Sequence, residues 1–147
     1  MKRSEALKPL SHQHHQGLFV ALKLTRAERA TADSARRTFL DFFAREGARH
    51  FRLEEELLLP AFARHAAVDD PAVVRVLTEH VELRRRSQDL EASADPEPAD
   101  LHELGERLER HIRYEERVLF PMIEAVLSAE ELERLGAAFA RAEAGDG

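Results

Sequence analysis

The chain has 147 residues, of which 44% are hydrophobic and 34% are charged, and its formal net charge is −6. That length fits one domain with a buried core, and the scarcity of Gly and Pro, six of each, favours helices over a sheet. The acidic balance argues against a nucleic-acid binder. Because the chain has no cysteine, disulfides, thiolate metal sites, iron–sulfur clusters and cysteine nucleophiles are excluded.

Neither a targeting segment nor a membrane span is predicted. The first ten residues are short of apolar side chains and lack the hydrophobic centre of a signal peptide. No apolar run approaches the roughly 18 residues of a membrane-spanning helix. We therefore expect a cytoplasmic protein that binds neither membrane nor nucleic acid.

Turn and linker signals divide the chain into a tail at 1–9, one domain at 10–143 and a second tail at 144–147. Ser11 is a plausible N-cap, so the first helix is predicted to run from about Ser11 to Ala30.

The first helix contains three neighbouring histidines. At about 100° per residue, His14 falls in the middle of the apolar side, His15 lies near its edge and His12 lies on the polar side. His14 is therefore the better candidate for an inward-pointing ligand, with His15 as the alternative.

A long second helix is predicted after the turn at 31–34, and it carries His50 and Glu54 on one face. Pro60 has no N–H to donate to the carbonyl four residues back. We therefore expect Pro60 to kink or end this helix.

The third helix has a clear start signal. Asp70 as N-cap and Pro71 at the first helical position match the usual preferences. This helix is predicted to carry His80 on its apolar stripe and to end near Ala92.

The linker at 94–98 precedes a fourth helix, which is predicted from about Asp100 to at least Pro121 with His111 and Glu115 on its inner face.

Ser128 and Glu131 then form a capping-box pattern that predicts a short fifth helix through about Ala142. The prediction is an all-α, up-down-up-down four-helix bundle with a C-terminal fifth helix.

One motif occurs twice. Residues 49–60 and 110–121 share the frame R-H-φ-R-φ-E-E-x-φ-L-φ-P, where φ is apolar or aromatic. In both copies, histidine and glutamate lie four residues apart and so share a helix face. An apolar face alone gives no reason to repeat a histidine, a glutamate and a proline at fixed offsets.

The inward positions predict a metal site. One His-x-x-x-Glu pair alone would more often be an ordinary surface pair, and a lone inward histidine is usually a core residue with satisfied hydrogen bonds. Two matched copies accompanied by His14 and His80 are hard to get by chance and favour ligands instead. Buried carboxylates, which need compensating cations, support the same interpretation. The candidate ligands are His14, His50, Glu54, His80, His111 and Glu115.

The ligand types narrow the choice of metal. Imidazole and carboxylate without sulfur suit iron, and also manganese or zinc. Six groups on four helices suit two metals better than a four-ligand structural zinc site. The ferritin-type Glu-x-x-His pair is absent, and so is His-Glu-x-x-His, since His102-Glu103 is followed by Leu104-Gly105-Glu106.

These residues resemble the hemerythrin-like, or HHE cation-binding, domain family over roughly Pro9 to Phe139. The resemblance rests on Leu10-Ser11-His12-Gln13-His14-His15, on both H-x-x-x-E-E-x-φ-φ-φ-P motifs and on Glu79-His80. It implies two iron ions in a non-haem di-iron centre with a bridging oxo or hydroxo group. The implied bridging ligands are Glu54 and Glu115, and the implied terminal ligands are His14, His50, His80 and His111.

The chain departs from the oxygen-carrying hemerythrins of animals, which have a second histidine on the third helix. Val76 and Arg84 occupy the candidate positions here. The six ligands that remain resemble the di-iron domain of the iron–sulfur cluster repair proteins, whose cysteine-containing N-terminal segment is not found in this sequence.

The residues next to the ligands are given lesser roles. Glu55, Glu56 and Glu116 are expected to be solvated on the helix surface. His15 and Tyr114 are possible second-shell groups or alternate ligands, although packing is the commoner role for such a tyrosine.

The functional expectation is a di-iron protein that binds O₂, NO or peroxide at an open iron position, and a binding protein is favoured over an enzyme. The alternatives are a di-iron peroxidase or oxidase, and a protein for iron handling or cluster repair. An unidentified reductant or iron acceptor is a possible partner.

Overall fold

The computed structural model describes residues 2–146, and within this range the chain forms five helices and no strand. We number them α1 to α5. Their bounds are Lys8–Thr25 for α1, 32–62 for α2, Pro71–Ala92 for α3, 98–126 for α4 and Ala129–Asp146 for α5. Helices α1 to α4 form the up-down-up-down bundle predicted from the sequence, and α5 packs against one end of it.

Helices α2 and α4 each contain a five-residue π-helical segment in the repeated motif. The segments are Glu54–Leu58 in α2 and Glu115–Leu119 in α4, so each begins at the motif's inward glutamate. The N–H of Leu59 donates to the carbonyl of Glu54, five residues back. Such π segments occur mostly as single turns within α-helices and frequently lie at functional sites.

Pro60 does not end α2, which continues to Phe62. Its missing N–H falls in the first turn of the α-helical segment that follows the π segment, where a proline is tolerated. Pro121 has the same place after the π segment of α4, which continues to Val126.

Helix α1 begins at Lys8, not at Ser11, and ends at Thr25, before the predicted Ala30. Pro9 lies in its first turn, where its fixed φ suits a helix start. The hydroxyl of Ser11 is not a cap. It donates to the carboxylate of Glu116 on α4, at 2.8 Å from Oε2.

Of the three capping predictions, those for Asp70 and Ser128 are confirmed. Asp70 Oδ1 accepts a hydrogen bond from the N–H of Ala72 at 2.9 Å. Ser128 and Glu131 form the reciprocal pair of a capping box, with the N–H of Ser128 donating to Glu131 and the N–H of Glu131 donating to Ser128 Oγ. Helix α5 then extends to Asp146, past the predicted end at Ala142.

Two apolar clusters fill the interior. The first joins α5 to the bundle and includes Leu10, Leu58, Phe120 and Phe139. The second includes Leu24, Phe39, Phe51, Leu104 and Ile112. The buried polar side chains described in the next section are not part of either cluster.

Helices α1 and α4 approach closely at Gly105. A Cβ on this residue would lie 2.7 Å from the carbonyl oxygen of Ala21 and 2.8 Å from Thr25 Cγ2. The contact fixes the spacing of the two helices that carry His14 and Glu115. Among the described residues, no helix has both the length and the apolar character to cross a membrane.

Candidate metal centre

The six predicted ligands are all buried, with exposures between 0% and 6%. Four different helices supply them, since α1 and α3 each carry a histidine and α2 and α4 each carry a histidine and a glutamate. They are His14, His50, Glu54, His80, His111 and Glu115.

The carboxylate of Glu54 lies between two imidazoles. Its Oε2 is 3.0 Å from Nε2 of His50, one helical turn earlier on α2. Its Oε1 is 3.0 Å from Nε2 of His80 on α3. The two oxygens of this carboxylate therefore face two different histidines.

Glu115 repeats this arrangement with the other two histidines. Its Oε1 is 2.9 Å from Nε2 of His14, and its Oε2 is 3.3 Å from Nε2 of His111. The two copies of the motif thus place their glutamates at the centre of the bundle with an imidazole on either side of each carboxylate.

Two overlapping groups of ligand atoms result, each offering two imidazole nitrogens and one oxygen from each carboxylate. Within each group, all ligand atoms lie within 4.8 Å of one another. The first group is His14, His50, Glu54 and Glu115, and the second is Glu54, His80, His111 and Glu115. Both carboxylates belong to both groups, which is the arrangement that two bridged cations require.

In the second group, all four inner atoms are buried without a hydrogen bond, although His80 Nε2 and Glu54 Oε1 are only 3.0 Å apart. The contact is short, but its direction is wrong for a hydrogen bond. Buried polar atoms are nearly always paired, so four of them converging without partners need another explanation. A cation among them would satisfy all four, and the donor set therefore fits a metal.

Each histidine is held from outside through its other ring nitrogen. Nδ1 of His14 lies 2.6 Å from Glu116, and Nδ1 of His80 lies 2.7 Å from Glu55. Glu55 and Glu116, expected to be solvated and not ligating, belong to neither ligand group, but each side chain is only partly exposed because its carboxylate turns toward a histidine.

The other two histidines have outer partners that the sequence analysis missed. Nδ1 of His111 lies 2.7 Å from Glu79, and Nδ1 of His50 lies 2.7 Å from Gln13 Oε1. A partner at Nδ1 fixes the ring and leaves Nε2 facing the centre. In the sequence, Glu79 next to His80 was visible, but nothing linked it to His111.

Cations and hydroxyls hold the outer carboxylates in turn. Arg84 donates to Glu55 at 3.2 Å, and Arg75 donates to Glu79 at 3.1 Å. Of the two α3 positions considered for a further histidine, Arg84 instead holds the carboxylate of Glu55. The other candidate, Val76, is fully buried in the first apolar cluster.

The carboxylates change the basicity of the histidines. Burial by itself lowers the pKa of His80, but Glu115 and Glu54 outweigh it and raise the pKa to about 11. The same competition raises the pKa of His50 to about 10, where Glu54 has the largest opposing effect. For His111 the pKa rises to about 9 against its burial.

His14 and Glu115 follow the same pattern. Burial lowers the pKa of His14, yet hydrogen bonds to Glu115 and Glu116 raise it above its ordinary value. Burial would raise the pKa of Glu115, but the imidazoles, His111 first, hold it well below that of a free glutamate.

The two lesser candidates lie apart from the inner ligand atoms. His15 is exposed and makes an edge contact with His12. Tyr114 is partly buried against the first apolar cluster, and the guanidinium of Arg75 lies 3.9 Å from the centre of its ring. On α1, the histidine that reaches the ligand groups is His14.

A small apolar cavity adjoins the centre. Its volume is about 30 Å³, which is enough to hold a molecule of the size of water. His14, His50 and His111 line it on the side of the centre, and Phe42, Phe43, Phe51, Leu108 and Ile112 contribute apolar wall.

A search of family models finds one that matches residues 10–123, described as the hemerythrin HHE cation binding domain. The match covers most of the chain and includes all six of the predicted ligands. No curated protein and no solved structure matches the sequence.

Proposed function

Because the chain belongs to the hemerythrin HHE cation-binding domain family, we propose that it holds two iron ions and binds O₂, NO or peroxide at one of them. The observation that carries the proposal is the pair of overlapping ligand groups. Glu54 and Glu115 give one oxygen to each group, and each group adds two histidines.

The donor chemistry supports iron. Imidazole and carboxylate together, without sulfur, suit iron in either of its common oxidation states. The two carboxylates, buried to 0% exposure, need positive charge nearby, and metal cations would supply it in place of the imidazole protons. When bound, iron would supply the capacity to exchange electrons with a small ligand.

The residues around the ligands would hold the imidazole rings in the orientation that metal binding requires. Hydrogen bonds at Nδ1 fix each imidazole ring and leave Nε2 directed inward, and their loss typically weakens metal binding. Phe51 stacks on His80 with ring centres 3.8 Å apart, which further restricts that ring. The protein would therefore bind the metals with little rearrangement.

The cavity supports a small ligand. Two of its lining residues, His14 and His50, belong to the same ligand group, and its other walls are largely apolar. A volume of about 30 Å³ suits a diatomic molecule or peroxide and excludes organic substrates of ordinary size. His14 and His50, with His111 from the other group, would therefore hold the metals at the side of the centre that the cavity reaches.

Optical and stopped-flow measurements on anaerobically iron-loaded protein test the proposal. We expect saturable spectral changes on addition of O₂ or NO. We expect no such change in the His50→Ala, His111→Ala double variant, which removes a histidine from each ligand group. A His65→Ala, His102→Ala variant is the matched control, because both of those histidines lie outside the groups.

The same preparations distinguish binding from the alternatives. Sustained consumption of peroxide in the presence of a reductant would show that the protein is a peroxidase and not only a binding protein. Rapid transfer of iron to a metal-free acceptor would instead favour iron handling, which the burial of all six ligands disfavours.

A further inference from the structure

A surface groove lies between α1 and α2, outside the small cavity beside the centre. Its volume is about 1120 Å³, and Phe19, exposed to 68%, lies along it. The groove and the cavity share two lining residues, Phe42 and Glu46. These two side chains therefore form the wall that the groove and the cavity share.

Glu46 is the charged residue of this wall. The side-chain amide of Gln16 faces this carboxylate, and with the amide turned so that its nitrogen points inward, the nitrogen donates to Oε1 at 3.0 Å and also contacts Oε2. The arginines farther out on the groove, unlike Glu46, are in ion pairs with side chains of opposite charge. Arg45 and Asp41 form an ion pair at 3.1 Å.

A second ion pair in the same region joins Arg37, which lines the groove, to Asp33 at 2.9 Å. The cations of the groove are thus neutralised by acids on their own helix, whereas the charge of Glu46 faces an amide. Of the two acidic side chains that line the groove in the described part of the chain, Asp41 and Glu46, only Glu46 also lines the cavity.

Glu46 lies in a third π-helical segment of the chain. Phe43–Gly47 is π-helical, and it lies outside the repeated motif that contains the other two π segments. Two glycines keep the cavity open behind it. A Cβ on Gly17 would lie 2.6 Å from Ile112 Cδ1, and a Cβ on Gly47 would lie 2.9 Å from Phe43 Cδ2.

We propose that Glu46 determines the charge selectivity of the cavity, admitting neutral molecules such as O₂, NO and hydrogen peroxide and disfavouring small anions. This inference rests on the proposed function, since it concerns the ligand of the same centre. An anion that enters must pass a carboxylate at the boundary of an apolar space, where the effective dielectric is far below that of water. A neutral diatomic meets no such repulsion.

The test uses Glu46→Gln, which removes the charge and keeps a side chain able to bond to Gln16. The association rate of azide with the iron-loaded protein should rise about tenfold, while that of NO should change by less than about twofold. Glu46→Asp keeps the charge and should behave as the wild type. Asp41→Asn, the matched control in the outer groove, should alter neither rate substantially.

Two further measurements separate this inference from the proposed function. Azide binding to the cobalt-loaded variants should show the same contrast without iron. In zinc-loaded protein, dissolved O₂ should relax the Ile112 Cδ1 methyl protons equally in the wild type and Glu46→Gln, and less in Gly17→Ala.

If the protein does not bind iron, but cobalt-loaded Glu46→Gln still binds azide faster than the cobalt-loaded wild type, the choice of metal is overturned and the inference about Glu46 stands. Equal changes for azide and NO, or none in Glu46→Gln, would overturn the inference and leave the centre in place. A chain that takes up neither metal would overturn both.

Discussion

Glu55, whose carboxylate contacts the outer nitrogen of His80, can be tested directly because its neighbour Glu56 provides a matched control. Glu55 lies 2.7 Å from Nδ1 of His80 and is also held by Arg84, whereas Glu56 is exposed. We expect Glu55→Ala to weaken metal binding and Glu56→Ala to leave it unchanged. Both substitutions remove one negative charge from the same turn of α2.

The size of the effect follows from the contact. Loss of an outer-shell partner typically costs about 10- to 100-fold in metal affinity, or about 1.4 to 2.8 kcal/mol. The Glu55 side chain is 30% exposed, so water can replace part of its hydrogen bond to His80. We therefore expect a loss in the lower part of this range, about 10- to 30-fold.

The assay is anaerobic competition for Fe(II), and for Co(II) as an air-stable substitute, against a chromophoric chelator. Urea unfolding of the metal-free variants reports whether either substitution damages the fold. Equal affinities for Glu55→Ala and Glu56→Ala, in variants of equal stability, would refute the idea that the outer carboxylate prepares His80 for a metal.

Three further predictions concern packing, capping and pH. Gly105→Ala should destabilise the fold by about 1 to 3 kcal/mol in urea unfolding, because the new Cβ meets the backbone oxygen of Ala21; an unchanged midpoint would contradict the close approach. Ser128→Ala should cost about 1 kcal/mol, since it removes the bond from Ser128 Oγ to the N–H of Glu131, and Ser93→Ala is the control at a helix end without a side-chain cap. The pH prediction concerns the metal-free protein. The folded-state pKa of His80 is raised to about 11 from 6.5, so the stability that its protonation contributes is complete below about pH 6.5 and is lost as the pH rises toward 11. Urea midpoints measured from pH 6 to 10 should therefore fall in metal-free protein and fall less in metal-loaded protein, where the metal replaces the protons; parallel curves would contradict this.

The fold was predictable because its signals are local and repeated. Asp70 and Ser128 mark the starts of their helices because each side chain accepts a hydrogen bond from a backbone N–H two or three residues later, which needs no tertiary contact. Helix boundaries were less predictable where packing decides them. Leu7 is fully buried, and Pro9 suits a first turn, so α1 starts at Lys8 before the expected cap.

The convergence of the candidate ligands was predictable for the same reason, since His50 and Glu54 share a face at helical spacing and the motif recurs. Their outer partners depend on how one helix is rotated against another. Glu79 lies beside His80 in the sequence but bonds to His111 on α4. The π segments make the outer partners still harder to predict, because a turn with hydrogen bonds between residues five apart changes which side chains face inward after it.

Metal content per chain tests the account most directly. Protein purified from iron-replete cells, or loaded anaerobically with Fe(II), should contain two irons per chain by elemental analysis. The His50→Ala, His111→Ala variant should lose this stoichiometric binding. A saturating value of one metal per chain, or none after anaerobic loading of folded protein, would contradict the paired ligand groups around Glu54 and Glu115.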